Sequence, residues 1–166
     1  MTGPRFQRAI RTYVDTSVFG GCFDDEFAEY SNRFFEQVRR GAYHVLVSEM
    51  VLGELSGAPI RVREVLQHLP TEAWEELQPT RDADTLTQGY LEAGVLTPAS
   101  RSDATHVAMA AVAGADLVVS WNFRHIVNFD RIRGFNAVNV REGYRPLQIL
   151  SPREVGTDEP EEAEGF

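Results

Sequence analysis

Two hydrophobic patterns alternate along this chain: short, nearly unbroken apolar runs, and longer segments whose apolar positions recur every three or four residues. Residues 11–14 predict a first strand. Asp24, Asp25 and Glu26 place acids at a helix start, and Phe27, Tyr30, Phe34 and Val38 form its apolar stripe, ending at Arg39-Arg40-Gly41. A second strand over 43–47 leads to Ser48, which stands as the N-cap of the helix carrying Glu54. Pro59 begins a short helix over 60–69 that Pro70 closes. Residues 73–77 make a weak strand, since Glu75-Glu76 interrupt Trp74 and Leu77. Ala83, Leu86 and Tyr90 predict a helix over 80–93 with Gly94 as its stop. A small-residue helix over 103–113, a strand over 116–120 and a final strand over 147–150 follow. Between the last two strands, 124–135 holds a short helix and 136–140 reads as extended; Gly20-Gly21 reads as a flexible loop.

Strands alternating with helices define an α/β domain with a mostly parallel central sheet flanked by helices. At 166 residues and 43% hydrophobic, the chain can bury a core without staples, so one domain is expected over 1–153. Residues 154–166 form an acidic tail holding Glu154, Asp158, Glu159, Glu161, Glu162 and Glu164 and no basic residue. The tail reads as disordered. Removing its six charges from the net −9 leaves −3 for the remainder, so the acidic total does not argue against a nucleic-acid partner. All sixteen basic residues are arginines, whose planar donor forks suit phosphate, although the absence of lysine reads as coding bias.

Several chemistries are excluded. The one cysteine, Cys22, cannot make an internal disulfide and reads as a buried, neutral thiol. The first residues lack the apolar core of a signal peptide and no run is long enough to cross a bilayer, so a cytoplasmic protein without membrane attachment is expected. His44, His68, His106 and His125 have no metal-ligand spacing, and His106 reads as a packed or surface residue. No phosphate-binding P-loop occurs.

Three acids stand out because they sit on core-facing segments. Asp15 ends the run Tyr13-Val14, Glu54 interrupts Met50-Val51-Leu52-Gly53-Glu54-Leu55, and Asp103 opens its helix. A charge without a partner is costly in apolar surroundings, which points to a shared counter-ion, most simply a divalent metal. In a parallel α/β sheet, ligands gather at the carboxyl ends of the strands, where Asp15, Asp103 and Asn122 all belong. Glu54 reaches that rim from its helix. Such a cluster suits phosphodiester hydrolysis assisted by Mg²⁺ or Mn²⁺. A carboxylate set of this size holds one ion better than two.

Tyr13-Val14-Asp15-Thr16-Ser17-Val18-Phe19, Val51-Leu52-Gly53-Glu54-Leu55, Asp103-Ala104-Thr105-His106-Val107-Ala108-Met109-Ala110 and Leu117-Val118-Val119-Ser120-Trp121-Asn122-Phe123-Arg124-His125, in this order, resemble the PIN-domain family. That family includes the virulence-associated protein C ribonuclease toxins. The resemblance implies a PIN-like three-layer sandwich and a Mg²⁺- or Mn²⁺-dependent endoribonuclease, with RNA as substrate, a small antitoxin as partner and a homodimer as assembly. By resemblance, Asp15, Glu54 and Asp103 match the metal-binding acids and Ser17 the small hydroxyl residue near the first. Asn122 stands where many members carry a fourth Asp, which lowers the formal site charge from −4 to −3 and weakens a second ion most. Its amide oxygen could still ligate metal or orient water, and Arg124 could meet a phosphate. Two alternatives remain: a catalytically degenerate PIN-like domain that binds RNA or a protein, and a Mg²⁺-dependent phosphotransfer enzyme. The second lacks an Asp two positions after Asp15.

Overall fold

The computed structural model describes residues 8–155. Its first half runs β1 (Ile10–Val14), α1 (Thr16–Gly21), α2 (Ala28–Arg39), β2 (Tyr43–Ser48), α3 (Glu49–Ser56), α4 (Ile60–Gln67) and β3 (Trp74–Leu77). The second runs α5 (Arg81–Glu92), α6 (Arg101–Val112), β4 (Leu117–Val119), α7 (Phe129–Arg141) and β5 (Gln148–Leu150). The five strands form one sheet in the order β3-β2-β1-β4-β5, every neighbouring pair parallel. Tyr13 pairs with Leu46 on one side and Val118 on the other, so β1 is the centre. Both faces of such a sheet are covered, which is why Tyr13-Val14, Val45-Leu46-Val47 and Val118-Val119 are fully buried and read as unbroken apolar runs.

From β1 the chain moves outward to β2 and β3, then returns past β1 to build β4 and β5. Parallel crossovers are right-handed, so the helices of the two halves lie on opposite faces. Accordingly α1 packs on α2, α3 and α4, whereas α5 packs on α6 and α7. The strand order reverses between β1 and β4, and the carboxyl ends of those two strands flank the crevice where open α/β sheets place ligands.

Three local expectations are corrected. Residues 136–140 are helical, within α7, not extended. Asn136 and Asn139, poor helix formers, are held there by tertiary bonds: Asn136 bonds both ways with the Leu147 backbone, and Asn139 accepts from the buried Tyr90 hydroxyl. Gly20 and Gly21 lie in α1 and are not a loop. A Cβ on Gly21 would come within 2.6 Å of Ser31 Oγ and Trp121 Nε1, so this glycine permits close approach of α1 to α2 and to the loop after β4. The helix expected from 103 begins at Arg101, placing Asp103 in its first turn. The strand expected over 73–77 forms as β3, at the sheet edge, where Glu75 accepts from Arg11 Nη2 at 3.1 Å. At the far end, Val155 is buried in the core; residues 156–166, on which most of the acidic tail falls, lie outside the described residues.

Candidate metal and nuclease site

Asp15 is the first residue beyond β1 and the N-cap of α1, yet its carboxylate makes no capping bond to the helix. One oxygen, Oδ2, instead accepts from Ser17 Oγ at 2.7 Å and Ser120 Oγ at 2.8 Å. Ser17 also accepts from the Trp121 backbone N–H at 3.0 Å, and Ser120 from that of Asn122 at 2.9 Å. The loops after β1 and β4 are thereby tied through one carboxylate, which is only 7% exposed. Its other oxygen, Oδ1, faces His106 Nε2 at 3.7 Å.

Glu54 comes from α3, whose start is set by Ser48 as expected: Ser48 Oγ accepts from Val51 N–H. Val51 and Leu55 face the core and Glu54 lies at the edge of that face, 42% exposed in its side chain. Its Oε1 meets His106 Nε2 at 2.9 Å. That hydrogen bond holds the Glu54 carboxyl below the usual range; partial burial opposes it, and the nearby Thr16 hydroxyl and the charge on His106 assist. For His106, burial pulls the imidazole pKa down, but the bond to Glu54 and the charges of Asp15, Glu54 and Asp103 outweigh it and the net direction is up.

Asp103 sits one turn before His106 on α6, in a separate group of bonds. Asn122 Nδ2 donates to its Oδ1 at 3.1 Å and His125 Nδ1 meets its Oδ2 at 2.9 Å. Asn122 Oδ1 accepts from the His125 backbone N–H at 2.9 Å. The Asn122 amide is thus fixed at both ends: it orients Asp103, and its oxygen is already engaged within the loop. Arg124 is exposed on the same loop.

The acids therefore fall in two half-sites. Ligand-capable atoms of Asp15, Glu54 and His106 lie within 4.8 Å of one another, whereas Asp103 is bonded to Asn122 and His125. His106 and His125 were not singled out from the sequence, where each appeared as an isolated histidine. The available signal was relative spacing: His106 follows Asp103 by three positions on a helix face, and His125 follows Asn122 by three in a turn. The donor chemistry fits a hard divalent cation: an Asp15 Oδ1 that accepts no hydroxyl and an ionised Glu54 face one another beside His106.

An all-parallel α/β sandwich of PIN-like type, with carboxylates at its topological switch point, is the class that fold and site define. Among solved structures, the chain is similar to one chain of VapBC2 from Rickettsia felis, from a crystal structure bound to a DNA fragment from their promoter. The match covers 86% of this chain and 98% of that one, with a TM-score of 0.56 and 14% sequence identity, a likeness of fold. No protein-family model matches the chain, and no curated protein matches it in sequence. Among the described residues no helix is long and apolar enough to cross a membrane.

Proposed function

We propose that this protein is a Mg²⁺- or Mn²⁺-dependent endoribonuclease acting as the toxin of a toxin–antitoxin pair. The observation that carries the reading is the Asp15 carboxylate at the switch point, one oxygen pinned by two serines and the other turned toward Glu54 and His106. A bound cation would supply an activated water and neutralise charge developing on the phosphate. Asp15 and Asp103 are the proposed ligands, Ser17 and Ser120 hold Asp15 in orientation, and Asn122 with His125 holds Asp103. Glu54, kept ionised, orients the attacking water. Arg124, exposed beside this rim, would meet a phosphate of the RNA. Hydrolysis on this plan leaves a 3′-hydroxyl and a 5′-phosphate. The neighbour's origin in a VapBC2 complex supports a small antitoxin as partner, with a homodimer as the proposed assembly.

A second reading has one observation in its favour. Asn122 brings no charge and its amide is engaged within the loop, which suits a PIN-like domain that binds RNA or a protein without cutting. Labelled single-stranded RNA incubated with the protein in Mg²⁺, Mn²⁺ or EDTA separates the two. Metal-dependent cleavage lost in Asp15→Asn supports the nuclease; RNA binding without cleavage in either metal supports the second reading.

A further inference from the structure

Four buried groups behind the candidate metal site form a continuous hydrogen-bond chain whose direction is fixed at one end. The Val51 backbone N–H, which can only donate, reaches Ser48 Oγ at 3.2 Å. Ser48 Oγ meets the Tyr13 hydroxyl at 2.7 Å, and that hydroxyl meets His106 Nδ1 at 2.7 Å. Ser48 and Tyr13 are fully buried and His106 is 3% exposed, so water does not stand in for a missing partner. With Val51 donating to Ser48 Oγ, the serine's own hydrogen goes to Tyr13 and the tyrosine's to Nδ1. In the neutral ring the proton is then on Nε2, 2.9 Å from Glu54.

The opposite tautomer reverses the two bonds that join Ser48, Tyr13 and His106, while Val51 still donates. Were Nε2 to give its lone pair to a metal, Nδ1–H would donate to Tyr13, Tyr13 to Ser48, and Ser48 Oγ would receive two hydrogens while its own lost its acceptor. A buried unpaired donor costs about 1–3 kcal/mol. Burial also pushes the Tyr13 hydroxyl up, so it keeps its proton, and its ring packs edge-on to His106 with centroids 5.9 Å apart.

We propose that His106 is a positioning residue for Glu54, not a metal ligand, and that Ser48 and Tyr13 lock it as an Nε2–H donor. Its catalytic consequence rests on the nuclease reading; the tautomer does not. A set left with oxygen donors alone selects Mg²⁺ or Mn²⁺, whereas an imidazole in the set would favour Zn²⁺.

The test uses the full chain with ¹⁵N-labelled histidine and long-range ¹H–¹⁵N spectra of His106, recorded in EDTA and in saturating Mg²⁺. The expected result is an Nε2–H resonance present in both. An Nδ1–H tautomer in EDTA, or loss of the Nε2–H on adding Mg²⁺, overturns the proposal. Tyr13→Phe removes only the hydroxyl and should release the tautomer to a mixture, lower kcat on RNA by about 10- to 100-fold, and leave KM and Mg²⁺ affinity within about twofold. His106→Gln, which keeps an N–H donor toward Glu54, should retain more activity than His106→Ala; equal loss counts against positioning. If wild type cleaves no RNA while the Nε2–H is observed, the nuclease reading fails and the tautomer assignment stands. If it cleaves RNA but Nε2 loses its proton to the ion, the reverse holds.

Discussion

Restoring the acid that the resemblance expects, Asn122→Asp, should destabilise this protein without metal and be rescued by metal. The Asn122 amide donates to Asp103 Oδ1 at 3.1 Å, and the Asp103 side chain is 25% exposed. The substitution replaces a donor to a charged group, a bond of about 1.5–3 kcal/mol, with a second carboxylate. Repulsion between unit charges near 4 Å runs from about 1 kcal/mol in water to about 4 kcal/mol in a protein-surface environment, and the partial exposure of Asp103 places this pair between. Side-chain rotation relieves part of it, leaving a loss of about 2–4 kcal/mol. For a domain of this size that lowers Tm by about 5–15 °C. The His125 backbone N–H keeps an acceptor in the introduced carboxylate, so the turn itself is not the cause. Mn²⁺ at about 100 times its Kd should return about 2.7 kcal/mol, most of the loss, by binding the folded state. Scanning calorimetry of both proteins in EDTA and in Mn²⁺ measures all four states. If the variant melts within a degree of wild type in EDTA, the amide does not hold Asp103 as described.

Three further outcomes are expected. Gly21→Ala overpacks the contact of α1 with Ser31 and Trp121, and urea denaturation should show a loss of about 1–3 kcal/mol. Tyr90→Phe leaves the fully buried Asn139 oxygen without the tyrosine donor and should cost a similar amount; an unchanged midpoint would mean that Asn139 finds another donor. Cys22 is buried and its thiol is pushed up to about 11, mainly by burial and against the pull of Arg39, so about one thiol in a thousand is ionised at pH 8. Iodoacetamide should label it slowly in the native protein and rapidly in denaturant, and fast native labelling would contradict that environment.

What the sequence revealed and what it hid divide along physical lines. The inner strands were legible because both their faces are buried, which forces unbroken apolar runs in Tyr13-Val14, Val45-Leu46-Val47 and Leu117-Val118-Val119. β3 was faint because an edge strand tolerates Glu75, which Arg11 and His44 from the inner strands partner. In α7 the asparagines argued against a helix, and only bonds to Leu147 and Tyr90, distant in sequence, show why one forms. The acids of the site could be found because charge on an apolar segment is anomalous in itself. Their partners could not, since the roles of Ser120, His106 and His125 depend on which loops meet at the switch point.

That meeting also explains why α6 carries both halves of the site. The helix is lined with small residues, and Ala104, Val107, Ala108 and Ala110 are fully buried. It therefore packs closely, with contacts to β2 and β4. Asp103 and His106 lie one turn apart on it, facing two different sets of partners: the loop after β4 through Asn122 and His125, and the β1–α3 corner through Tyr13 and Glu54. The separation of the two half-sites is thus set by one rigid helical turn and by the register of β1 with β4, rather than by flexible loops. A site so constructed can carry Asn in place of Asp at position 122 and keep its geometry, because the amide replaces a repulsion with a hydrogen bond. On the proposed metal-dependent function, the substitution would be read in the number and affinity of ions held, not in the placement of Asp15, Glu54 or Asp103.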